Sequence, residues 1–196
     1  MSKLDFVASL QAEIKALSPF EISQRLRVAH GCVCIYQGDP DLEIEDYRGY
    51  MVRLAEKANR SPENPEQYMC VVSLRQSPAW QNLVWIKEIL GILDGPEHWT
   101  KNKASLGHMI DSRETIGPHA AGTPPNVLAD KNGFTLAVGC AVPGAYRRSL
   151  RDQRQRKRAE ELESELLVPR EFIDWMISPA FEEQFQAALE HSRTGQ

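Results

Sequence analysis

Apolar residues recur at helical spacing over the first seventeen positions. Leu4, Val7, Leu10, Ile14 and Leu17 lie three to four residues apart and predict an amphipathic helix over 3–17. "SPFEISQRL" predicts a second, short helix from about Pro19 to Arg27: Ser18 suits the N-cap, Pro19 the first helical position, and Glu21 stands three residues after the cap. "CVCIYQG", 32–38, is rich in β-formers and closed by Gly38, Asp39 and Pro40, so it predicts a strand running into a turn. "RGYMVRLAE" and "YMCVVSL" predict two further strands, joined by the polar loop "NRSPENPEQ".

The helix-start signal returns at Ser77-Pro78, and the apolar stretch after it stops at Gly95-Pro96, which predicts a helix over 78–94. From His98 to Asn132 periodicity fades, and one short helix around Ala104 to Ile110 is predicted inside a long loop. A helix resumes near Gly133 with "FTLAVGCAVP", and Pro143 begins or kinks the next, "GAYRRSLRDQRQRKRAEELESELL". "VPREFIDWMISPAFEEQFQAAL" predicts two short helices parted at Ser178-Pro179, packed through Phe172, Trp175, Met176, Phe181 and Phe185. The pattern is that of an α+β protein: a small, mainly antiparallel sheet of three or four strands packed against a central buried 78–94 helix, with a helical C-terminal third. One domain over 1–196 is expected, divided into an N-terminal helix at 1–17, a core at 18–143 and C-terminal helices at 144–196.

Charge changes this picture at one place. Eight of the thirteen residues from Asn82 to Asp94 are aliphatic or tryptophan, yet Lys87 and Glu88 stand side by side in their midst. On a helix, Lys87, Gly91 and Asp94 form one stripe with Glu88 beside it. The plain reading is that both side chains snorkel from a helix edge to water.

Elsewhere composition mostly excludes. With 42% hydrophobic and 26% charged residues the chain is an ordinary globular sequence, and no apolar run approaches the roughly 20 residues of a membrane span. The N-terminus lacks a cleavable apolar leader, which reads as a cytosolic protein. A net charge of -4 opposes whole-molecule attraction to nucleic acid. One basic run does exist, Arg147, Arg148, Arg151, Arg154, Arg156, Lys157 and Arg158, which could grip phosphates. The acidic block Glu160, Glu161, Glu163 and Glu165 follows it, so a solvated or internally paired helix surface is the expectation. Cysteines 32, 34, 70 and 140 match neither a disulfide framework nor a zinc knuckle, and Cys32 and Cys34 are expected on one buried strand face. No phosphate loop or G-x-S-x-G serine motif occurs, so no cofactor is expected.

A zinc peptidase of the H-E-x-x-H kind puts two histidines at the first and last positions of a five-residue helical window and a general-base glutamate second. "KEILG", 87–91, keeps the glutamate and has neither histidine. The order "SPFEISQRL", strand, "RGYMVRL", "CVVSL" and "WIKEILGILD" resembles the ImmA/IrrE-type metallopeptidase domain. "DKNGFTLAVGCAVP", 130–143, is similar in length, in Ala137 and in its final proline to that family's downstream helix, and the resemblance puts Asp130 at the third-ligand position.

Lys87 and Gly91 cannot supply zinc nitrogens, because an ammonium has no lone pair and glycine no side chain. The resemblance implies a degenerate site of Lys87, Glu88, Gly91 and Asp130, in which the Lys87 ammonium is expected to sit where the cation would be and to pair with Asp130. The resemblance then implies a catalytically inactive protein that binds another protein, in a regulatory, mobile-element or stress setting, without metal. The competing reading is an active zinc peptidase with a rearranged set of Glu88 as base and His98, His108 and Asp130 as ligands.

Overall fold

The structure is a computed structural model that describes residues 1–43, 48–55, 61–94, 125–154 and 157–194, with backbone alone at 55, 125–131, 152–153 and 191–194. Helix α1 (Lys3–Leu10) opens on a capping box in which the Ser2 hydroxyl accepts from the Asp5 amide and the Asp5 carboxylate accepts from the Ser2 amide. It buries Phe6, Val7 and Leu10 and ends there, short of the predicted residue 17. The chain beyond is claimed by the corner between helices α4 (Pro125–Ala141) and α5 (Gly144–Arg154). Gln11 donates from Nε2 to the Gly139 carbonyl (3.1 Å) and accepts at Oε1 from the Gly144 amide (3.0 Å), and the Leu17 amide donates to the Ala141 carbonyl (2.8 Å). These bonds satisfy groups that helix ends leave open, so Leu17 is buried and Ile14 is 81% exposed.

Helix α2 (Pro19–His30) has the predicted Ser18–Glu21 capping box. It runs one turn beyond the expected Arg27 and closes at Gly31, whose φ of 63° is left-handed and suits glycine. Strands β1 (Cys32–Asp39), β2 (Gly49–Ala55) and β3 (Glu66–Ser73) form one sheet in the order β1-β3-β2. The sheet is mixed rather than mainly antiparallel. β2 and β3 pair antiparallel with Met51 opposite Cys70, and β3 then docks parallel to β1 with Cys34 opposite Tyr68. Cys32, Cys34, Tyr68, Cys70 and Val72 face the helices and are buried, as the period of two predicts for the C-x-C pair. Gly49 is required where β2 passes under α3: a Cβ there would lie 2.6 Å from Val84 Cγ1 and 2.7 Å from the Val71 carbonyl oxygen.

Helix α3 (Pro78–Gly91), capped by Ser77, crosses the sheet and packs against α4. Helix α4 starts at Pro125, eight residues before the predicted Gly133, with proline again at a first-turn position. The basic stretch forms two helices, α5 and α6 (Ala159–Leu166), where one was predicted. The break is stapled by Arg154, which donates to the Asp174 carboxylate (2.6 Å) and to the Lys157 carbonyl (2.8 Å). A 3-10 turn (Arg170–Phe172), a short α7 (Ile173–Met176) and α8 (Pro179–Thr194) finish the chain, parted at Ser178-Pro179 as predicted. Trp80, Phe172, Trp175, Phe181 and Phe185 form a run of ring contacts at centroid distances of 5.4, 5.7, 4.6 and 5.8 Å, tying α3 to α8. The buried core is one cluster from Phe6 to Leu189. Among the described residues no helix is long and apolar enough to cross a membrane.

Candidate functional site

Helix α3 presents Lys87 and Glu88 in different directions, since neighbours on a helix do not share a face. Glu88 turns towards the sheet, where its charge is felt by the Cys70 thiol on β3. Lys87 turns towards α4: a Cβ on Gly133 would lie 2.9 Å from Lys87 Cγ and 3.3 Å from Cδ, and Nζ lies 5.4 Å from the Phe134 ring centroid. Both side chains bend so that Lys87 Nζ meets Glu88 Oε1 at 2.8 Å. They are 15% and 11% exposed, which is an ion pair held between sheet, α3 and α4 rather than two groups snorkelling into water.

The Cys70 thiol has the Cys34 thiol beside it. Burial pushes Cys70 well above the ordinary thiol range, and the neighbouring Cys34 and Glu88 add to the shift against a smaller opposing effect of Lys87. Cys70 is therefore held as a neutral thiol beside the ion pair, with Cys34 next to it. Cys140, also buried, is pushed up to about 12 by desolvation and reads as core, as the sequence predicts. Sequence reading missed the approach of Cys70 to the pair and of Cys34 to Cys70, although the period of two in "CVCIYQG" and "YMCVVSL" fixes which face of each strand carries its thiols.

Asp94, the last member of the predicted stripe, belongs elsewhere. Lys3, only 6% exposed, places its ammonium 2.6 Å from the Asp94 carboxylate and ties α1 to the end of α3. Gly91 ends α3, and no described heavy atom lies within 4 Å of where its Cβ would be. Asp130 lies on α4 one turn before Gly133, and its side chain is outside the described residues. His98, His108 and the short helix predicted at 104–110 also lie outside them. Among the described residues no group of three His, Cys, Asp or Glu side chains is arranged to hold a metal ion.

As chemistry, the pair is limited. An ammonium only donates, and a carboxylate bound by it is not a free base. Zinc does not fit positions 87 and 91 as they stand.

The basic run is largely used inside the fold. Arg147, 1% exposed, binds Glu182 on α8 (3.0 Å), Arg154 binds Asp174, Lys157 binds Glu165 at 2.5 Å, and Arg151 lies 3.8 Å from Glu182. These partners sit on α6, α7 and α8, so the expected internal pairing occurs across elements as well as along the chain. Arg156 lies outside the described residues, while Arg148 is exposed. No family model matches the chain, and neither a curated protein nor a solved structure matches it significantly.

Proposed function

We propose that this chain is a catalytically inactive, metallopeptidase-like protein that acts by binding a protein partner. The observation that supports this reading is the Lys87–Glu88 contact at 2.8 Å. In the H-E-x-x-H arrangement the first residue is a neutral imidazole ligand and the second a base for metal-bound water. Here an ammonium occupies the first position and neutralises the second, and the fifth is glycine. A cation in that space would meet Lys87's positive charge and no nitrogen lone pair. The element order β1, β2, β3, α3 and then α4 packed on α3 is in keeping with the resemblance. The regulatory, mobile-element or stress setting follows from the resemblance alone.

The competing zinc peptidase would collect His98, His108 and Asp130 around Glu88. Metal analysis separates the two. The protein is equilibrated with excess zinc, dialysed and measured by mass spectrometry of the metal. The inactive reading expects well under 0.1 equivalent, whereas a structural or catalytic zinc held by three or more ligands gives about one equivalent. A stoichiometric zinc that also supports peptide hydrolysis lost in Glu88→Gln overturns the proposal.

A further inference from the structure

The helix-facing side of the sheet gathers sulfur from all three strands. Cys34 on β1 and Cys70 on β3 are buried there, and Met51 on β2 packs against the same core, partly buried. Parallel pairing sets Cys34 opposite Tyr68, so Cys70, two residues further on, is its diagonal neighbour on the same face. The two thiols lie within hydrogen-bonding reach of each other. The Ser23 hydroxyl, 3.4 Å from the Cys34 amide and 3.5 Å from its carbonyl oxygen, fixes that stretch of β1 against α2.

Antiparallel pairing sets Met51 directly opposite Cys70. The Ser73 amide donates to the Arg48 carbonyl (3.1 Å), which makes Arg48 and Ser73 a hydrogen-bonding pair. Such pairs alternate along an antiparallel ladder, so Met51 and Cys70, three steps on, form a non-hydrogen-bonded pair. That is the kind in which side chains come closest, with Cβ atoms about 4.5 to 5.5 Å apart. Two thiols and a thioether thus belong to one patch, centred on Cys70.

We propose that Cys34, Cys70 and Met51 form a site for a soft monovalent cation, Cu(I), held by two thiolates and one thioether. Sulfur ligands of these two kinds select Cu(I). Zinc in a structural site takes four ligands, and an iron–sulfur cluster takes four thiolates, so neither is completed by this set. Binding exchanges two S–H bonds for two S–Cu bonds and releases two protons to solvent, with no change in oxidation state. Bond formation to the metal overcomes the burial that keeps Cys70 protonated in its absence. The site uses neither Lys87 nor Glu88 as a ligand and does not rest on the resemblance. Zinc retention tests that reading, and copper retention tests this one.

The reduced protein, kept free of oxygen, is titrated with Cu(I) in competition with bicinchoninate, whose coloured Cu(I) complex reports the metal that the protein does not hold. The wild type is expected to retain about one equivalent. Cys34→Ala and Cys70→Ala should each weaken retention roughly a hundredfold, and Met51→Leu, which conserves volume and removes the sulfur, roughly tenfold. Cys32→Ala and Cys140→Ala should retain copper as the wild type does. Met51→Leu decides the matter if the Cys34 and Cys70 variants do not fold. A wild type that yields its copper to the chelator, a folded Met51→Leu that holds it as tightly as wild type, or a Cys32→Ala that loses as much as Cys34→Ala overturns the proposal and leaves the three sulfurs as core packing.

Discussion

The aliphatic stem of Lys87 lies on Gly133, with 2.9 Å between Lys87 Cγ and the point where a Cβ on Gly133 would be. Glycine inside α4 thus admits a lysine between two packed helices, and the ammonium at the end of that stem turns back to Glu88. Gly133→Ala combines a helix-propensity gain of about 1 kcal/mol with a clash against the near end of the side chain, and the two should roughly cancel. Gly133→Val has no such compensation and should cost about 1 to 3 kcal/mol. In Lys87→Ala the same valine should cost at least 1 kcal/mol less. Urea denaturation of the four proteins reads this coupling, and additivity within about 0.5 kcal/mol would remove the contact from the explanation.

The ion pair makes its own prediction. Lys87→Met leaves the buried Glu88 carboxylate without its observed counter-ion and should cost about 3 to 5 kcal/mol. Adding Glu88→Gln should recover most of the loss, because a neutral amide needs no ammonium. If the third charge of the proposed site also faces Lys87, Lys87→Met with Asp130→Leu should likewise lose much less than Lys87→Met alone. Equal losses in the single and both double variants would mean that Lys87 is held by its stem and not by its charge.

Arg147 supports a different part of the fold. Its guanidinium donates to the Val142 carbonyl (2.6 Å), the Gly139 carbonyl (3.3 Å) and Glu182, and lies 4.6 Å from the Phe181 ring centroid. One planar fork thereby closes the end of α4 and joins it to α8. Arg147→Lys keeps the charge but cannot span these acceptors at once, and should cost about 3 kcal/mol. Glu182→Gln should cost closer to 1 kcal/mol, since Glu182 is 35% exposed and the two carbonyls remain. Thermal or urea unfolding that ranks the two variants in the opposite order would show that the carboxylate, not the carbonyl cap, makes Arg147 necessary.

Local signals were legible where one side chain and its neighbours decide an element. Ser18 with Glu21 and Ser77 with Pro78 start α2 and α3 where the capping pattern says they must. Misreadings arose where a distant residue decides. The spacing of Ile14 and Leu17 looks helical, but Leu17 is spent on the Ala141 carbonyl of α4, and no local pattern encodes that bond. Arg154, the last described residue of α5, likewise binds Asp174, twenty residues on. At the candidate site the sequence marked Lys87 and Glu88 as an anomaly in an apolar helix. It assigned Asp94 to the same stripe, whereas the partner of Asp94 is Lys3, 91 residues earlier on α1.

Acid sensitivity should trace in part to Glu21. The Lys15 ammonium at 2.5 Å and the Ser18 amide at 2.9 Å hold its carboxyl at about 2, against the ordinary 4.5. The folded state therefore binds this proton less readily than the unfolded chain. The contribution is fully present above pH 4.5 and is lost as pH falls from there towards 2. The carboxylate is 37% exposed, so solvent screening reduces the worth of the shift to about 1 kcal/mol. Glu21→Gln keeps the shape of the cap but not the charge. It should be less stable than wild type by about 1 kcal/mol at pH 7, with the gap shrinking to about half or less at pH 3. Lys15→Met should reproduce most of that pH dependence, because the ammonium is the largest cause of the shift. Urea curves at the two pH values decide it, and a gap that stays constant between them would place the acid sensitivity of the fold in other carboxylates.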